Sequence, residues 1–203
     1  MTWCADEIIL LATPMALRLV SASPQWAPFS YVVRSLDSHE WHTREVQHTL
    51  PAEGLIFIRP VGSVSSGDLD WYGAPMLDWT AISGELGAAA QLDRQVTEQL
   101  SSYLHDDLLP PPAFRTAMAS LAMTLQQVVI YYRCFMWGGD VESEYCLVYK
   151  PTESLFITKS SLPPDNPGVE DALRAGLSQL GLELPTGYFA PHVSSFPWQA
   201  HKL

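Results

Sequence analysis

Lysine is scarce in this chain, with only Lys150, Lys159 and Lys202 among 203 residues. Arginine does not make up the deficit. Eleven basic residues face 22 acidic ones, a formal net charge of −11. Gripping a phosphate backbone takes clustered Lys and Arg, so direct nucleic-acid binding is not expected. Cysteine is equally rare. Cys4, Cys134 and Cys146 make an odd set with no CxxC and no Cys/His spacing of a zinc site. Three free thiols and no metal are therefore expected, as suits a reducing compartment. Long uninterrupted apolar runs are missing too. The opening stretch MTWCADEIILLATPMALRLV carries Asp6 and Glu7 ahead of its apolar residues, is broken at Thr13-Pro14 and contains Arg18. It reads as neither a secretory leader nor a membrane span, which leaves the cytoplasm as the expected location. GxGxxG, GxxxxGK[ST] and GxSxG do not occur. Nucleotide cradling and a serine elbow have no support, and no cofactor is expected.

What is present is a hydrophobic fraction of 47%, ample for one packed domain. The strongest local signal is VVIYYRCFMWGGDVESEYCLVYK, Val128 to Lys150. Two β-rich runs flank Gly138-Gly139, and paired glycines suit a two-residue hairpin turn. In that register Trp137 pairs with Asp140, Met136 with Val141, Phe135 with Glu142, Arg133 with Glu144, and Tyr132 with Tyr145. Strand alternation then puts Ile130, Tyr132, Cys134, Met136, Tyr145 and Leu147 on a core face. Cys134 and Cys146 fall on opposite faces, which disfavours a disulfide. The second face carries Tyr131, Arg133, Phe135, Trp137, Asp140, Glu142 and Glu144. It reads as a solvated face with an Arg133–Glu144 ion pair, or as a recognition surface rich in aromatics and arginine.

The first 62 residues read as a meander of short strands, including Glu7–Ala12, Ala16–Ser23, Phe29–Leu36, Glu45–Leu50 and Leu55–Arg59, with Pro51–Gly54 as a hairpin turn. Residues 62–80 form a loop holding Asp68, Asp70 and Trp71. Apolar spacing predicts helices over Glu85–Leu104, from Pro111 or Pro112 to Leu125, and over Pro167–Gly181. Glu153–Lys159 is a further strand. The tail from Leu184 to Leu203 carries Tyr188, Phe189, Phe196 and Trp198, and is expected to pack over the domain or to reach a second chain as an oligomer contact. The chain thus divides into a strand-rich half (1–62), a helix-hairpin-helix half (63–183) and an aromatic tail (184–203). The fold class is α+β, a mostly antiparallel sheet with about three helices.

Catalytic signals are thin. Asp37-Ser38-His39-Glu40-Trp41-His42 spaces its histidines by three, where one helical face needs four to hold zinc. Cys146 with His192 is the one thiol–imidazole pairing on offer as a nucleophile. Acids are the clearer signal. Between Gly67 and Leu109 stand Asp68, Asp70, Asp78, Glu85, Asp93, Glu98, Asp106 and Asp107 against the single base Arg94. Such a segment focuses a negative field suited to a basic partner.

The stretch Tyr131–Tyr149, with Trp137-Gly138-Gly139-Asp140 followed by Glu142-Ser143-Glu144-Tyr145, resembles sheet segments of bacterial immunity proteins that neutralise toxins. The resemblance covers about a tenth of the chain and carries no residue roles. It implies a small acidic α+β protein that blocks a cognate toxin without catalysis. The expected function is therefore inhibition of a basic protein partner, through Asp68, Asp70, Trp71, Trp137, Asp140, Glu142 and Glu144. The alternatives are a small hydrolase-type enzyme with its site near the 62–80 loop, or a structural subunit of an oligomer.

Overall fold

The computed structural model describes residues 3–34, 50–59, 87–100, 110–137, 140–158, 172–184, 189–192 and 196–203. Six strands form one wholly antiparallel sheet: β1 (Trp3–Leu11), β2 (Ser30–Val33), β3 (Leu55–Ile58), β4 (Val129–Trp137), β5 (Asp140–Tyr149) and β6 (Ser154–Thr158). Their order across the sheet is β2-β3-β1-β4-β5-β6. Four helices accompany them: α1 (Pro14–Ala22), α2 (Ala88–Leu100), α3 (Pro112–Leu125) and α4 (Ala172–Ser178). The fold is α+β and dominated by antiparallel sheet, as the sequence predicts, with four helices among the described residues against about three expected.

The extra helix is α1, read from sequence as a strand over Ala16–Ser23. Local chemistry explains the correction. Thr13 sits extended before the helix and its hydroxyl accepts from the Ala16 N–H at 3.3 Å, while Pro14 fills the first turn. Ala16 and Val20, four apart, are the buried pair. The first 62 residues are therefore not a meander. β1 leaves for α1, and β2 and β3 return outside it.

Both faces of the sheet are covered, so the protein has three layers. On one face α1, α2 and α3 pack Val20, Leu92, Val96, Phe114 and Met118 against Ile8, Leu10, Ile58, Tyr131 and Leu147. On the other, α4 and the aromatic tail pack Leu173, Leu177, Phe189, Phe196 and Trp198 against Ile9, Phe57, Ile130 and Val148. A strand dry on both sides has no reason to alternate. Leu55-Ile56-Phe57-Ile58 is buried at every position. The tail packs over the domain, one of the two expected outcomes. Tyr188 lies outside the described residues.

The turn before β3 forms as predicted, with Gly54 N–H donating to the Pro51 carbonyl at 2.8 Å. Gly54 has φ +78°, and an added Cβ would lie 2.6 Å from the Val33 carbonyl oxygen, so both backbone and space demand glycine. Of the strand expected before it, Glu45–Leu50, residues 45–49 lie outside the described residues and Leu50 is not in a strand. The α4 helix is closed by Gly181 at φ +76°, with the Leu182 N–H reaching back to the Leu177 carbonyl at 3.1 Å. Its expected start at Pro167 lies outside the described residues. Among those residues no helix is long and apolar enough to cross a membrane.

Candidate functional site

The β4–β5 ladder runs down to Trp137↔Asp140, as predicted, and Met136 pairs with Val141. The glycines Gly138 and Gly139 lie outside the described residues. Beyond Met136 the expected register fails. Phe135 pairs with Ser143, Cys134 with Glu144, Arg133 with Tyr145 and Tyr132 with Cys146. Glu142 is the extra residue of a β-bulge, so every later position changes face. Three corrections follow. Arg133 and Glu144 lie on opposite faces and form no cross-strand pair. Cys134 and Cys146 share a face, and both are buried free thiols. Asp140, Glu142 and Glu144 do not make one alternating row.

Glu144 is half-buried and engaged within the chain. Its Oε2 accepts from the Tyr132 hydroxyl at 3.1 Å, and its Oε1 accepts from the Ala172 N–H, at the start of α4, at 2.8 Å. Asp68, Asp70 and Trp71 lie outside the described residues, as does the Asp37–His42 cluster. Trp137, Asp140 and Glu142 are placed by backbone register alone. Of the acidic segment, Asp93 turns inward. Arg115 grips it in a buried fork, Nε to Oδ1 at 2.8 Å and Nη2 to Oδ2 at 3.2 Å, and the Tyr149 hydroxyl donates to Oδ1 at 3.3 Å. The outward side of α2 mixes Gln91, Arg94, Gln95 and Glu98 around a shallow groove.

Two polar clusters that the sequence did not announce sit at adjacent positions of β1, on opposite faces. Glu7, 1% exposed, bonds through Oε1 to Nε2 of His192 and has Arg59 Nε 3.8 Å from its Oε2. The imidazole is stacked on Tyr132, centroids 5.3 Å apart and planes within 10°, with Phe189 edge-on at 5.0 Å. Tyr132 lies between Glu7 on β1 and Cys146 on β5. Burial holds its hydroxyl well above the ordinary phenol range. The Cys146 thiol donates to the Ala172 carbonyl at 3.1 Å in a fully buried position. That gives it a packing role, and the imidazole's described partner is Glu7.

On the other face Asp6 lies beside Arg133, which is paired with Tyr145. Burial raises the Asp6 carboxyl against the lowering effects of the Tyr131 hydroxyl and Arg133. Its Oδ1 is a buried acceptor with no hydrogen bond among the described residues. Burial likewise pushes Tyr145 up to about 12. Among the described residues no group of three or more His, Cys, Asp or Glu is placed to hold a metal.

A third arrangement lies at the outer edge of β2. The segment Phe196–Leu203 crosses the sheet with Trp198 edge-on to Tyr31 at 5.3 Å and to Phe57 at 5.1 Å, and Arg59 lies 4.5 Å over the indole. Lys202 then makes an antiparallel bridge to Tyr31, its ammonium 4.5 Å over the phenol ring and donating to the Pro28 carbonyl. The Leu203 N–H donates to the Ser30 carbonyl at 3.1 Å. Sequence periodicity could not locate this contact, because it joins residues about 170 positions apart.

Comparison of the chain with protein-family models, with curated proteins and with solved structures gives no match.

Proposed function

We propose that this protein works by binding and not by catalysis, and that it captures and inhibits a basic protein partner, foremost a bacterial toxin whose active site it occludes. The observation that carries the reading is the excess of acid in the chain once its two described internal arginine pairs are set aside. Arg59 and Arg115 are used internally against Glu7 and Asp93. Removing those two pairs from the 22 acids and 11 bases leaves 20 acids against 9 bases. An excess of acids over bases of this size attracts a cationic protein and raises its encounter rate. Asp68, Asp70, Trp71, Trp137, Asp140 and Glu142 remain the proposed contacts. Glu144, the seventh residue named from the sequence, holds the start of α4 against β5.

The test is affinity capture with the tagged full chain, identification of what is retained, and stopped-flow association of the purified partner at two salt concentrations. The expected partner is basic and associates several-fold more slowly at high salt, since surface charges are screened over about 8 Å at physiological ionic strength. Capture of a neutral or acidic protein, or a flat salt dependence, overturns the reading.

A further inference from the structure

We propose that the outer edge of β2 is a docking strand for an extended, lysine-bearing segment of the basic partner, and that Lys202–Leu203 occupies it as an intramolecular stand-in. The proposal rests on the reading that the partner is basic, and it names the place where such a partner is gripped. An edge strand presents a row of backbone donors and acceptors, and folded proteins cover such edges to stop unwanted pairing. Among the described residues one pair bridges this edge, Tyr31 with Lys202, and the bond from the Leu203 N–H to the Ser30 carbonyl belongs to that bridge.

The cover also displays what the edge recognises. The Lys202 ammonium lies on the π face of Tyr31 and donates to the Pro28 carbonyl. A ring and a carbonyl form a cation subsite that is indifferent to which chain supplies the lysine. Trp198 supports Tyr31 from the side, so the ring is fixed before any partner arrives. A partner strand in the same antiparallel register would place its lysine where Lys202 now sits. It would then run on past Val32 and Val33, exchanging a single bridge for a four-residue ladder. The acidic surface concentrates such a partner, and the edge supplies its register.

The experiment uses the full chain and a defined probe, a fluorescein-labelled hexapeptide of threonine and valine with one central lysine. Its control carries norleucine in place of the lysine. Each is titrated by anisotropy into the wild type and into a chain carrying Lys202→Ala with Leu203→Pro, which removes the resident cation and the N–H that bonds Ser30. Both substitutions lie outside the packed core, and circular dichroism checks the fold. The lysine peptide should bind the altered chain on the order of tenfold more tightly than the wild type, and norleucine should lose most of that gain. Equal affinity for both chains, equal affinity of both peptides, or no binding to the altered chain overturns the proposal. The peptide test needs no natural partner. Its failure beside successful capture of a salt-sensitive basic protein would remove the edge site alone, and the reverse outcome would remove the basic-partner reading alone.

Discussion

Replacing Arg115 by methionine tests whether the helical layer is held by a buried ion pair. Asp93 and Arg115 are 7% and 8% exposed, so neither charge is hydrated as it would be in an unfolded chain. Arg115 gives two hydrogen bonds to the Asp93 carboxylate and a third, through Nη1, to the Pro110 carbonyl at 2.8 Å. Arg115→Met leaves Asp93 with the Tyr149 hydroxyl as its one described donor. An uncompensated buried charge of this kind costs about 3–5 kcal/mol. Domains of this kind are stable by about 5–15 kcal/mol, so the loss is a large share of the total. Removing both charges should behave differently. Asp93→Leu with Arg115→Met eliminates the desolvation cost along with the attraction, and such replacements are often neutral. It strands the Tyr149 hydroxyl, worth about 1–3 kcal/mol, which a further Tyr149→Phe relieves. Urea unfolding followed by far-UV circular dichroism reads all four chains by linear extrapolation. The reasoning is refuted if Arg115→Met alone costs under about 1 kcal/mol, or if the double variant is no more stable than the single one.

Burial holds the Asp6 carboxyl above its ordinary value of 3.8, so this group favours the folded state most below that value and loses the benefit as pH rises through the folded one. Asp6→Asn should therefore be more stable than the wild type at pH 7, with the gap closing by about pH 4; parallel stability curves would sink the argument. Gly176→Ala puts a Cβ 2.6 Å from the Cys146 sulfur and should cost about 1–3 kcal/mol, a loss that Cys146→Ala in the same chain reduces. The same cost in both backgrounds would show that this contact is not its cause. Cys134 and Cys146 are buried, so a thiol reagent should label at most one cysteine per chain in the native state and all three after denaturation. Labelling of two in the native state would contradict the packing of α4.

Elements governed by local chemistry were legible in the sequence. Proline at the start of α3, glycine at the end of α4 and the β-branched runs of β4 and β5 each act on their own neighbours. Legibility ended where distant residues decide. Thr13-Pro14 reads as a turn as readily as an N-cap with proline in the first turn, so the local signal for a helix over Ala16–Val20 was ambiguous. One extra residue, Glu142, inverted every face assignment beyond it, because strand sides alternate with a period of two. Glu7 follows Asp6 at the head of an apolar run, with nothing nearby to mark it as a buried partner, since His192 comes 185 residues later. Asp93 looked like one more surface acid until α3 brought Arg115 against it.

The central place of β1 has a consequence for how the chain reaches this state. β1 is made before the other described elements, yet it is flanked by β3 on one side and β4 on the other. Ile9 meets Phe57 across the first ladder and Ile130 across the second. During synthesis at about 5–20 residues per second, β1 and β3 can pair while the other side of β1 waits roughly 4–15 s for β4. Throughout that interval an apolar strand, Ile8 to Leu10, presents an open edge. The chain should fold slowly for its size, because closing so long a loop precedes any gain from the contact. A holdase acting on nascent chains would find its target in the segment that ends up most deeply buried.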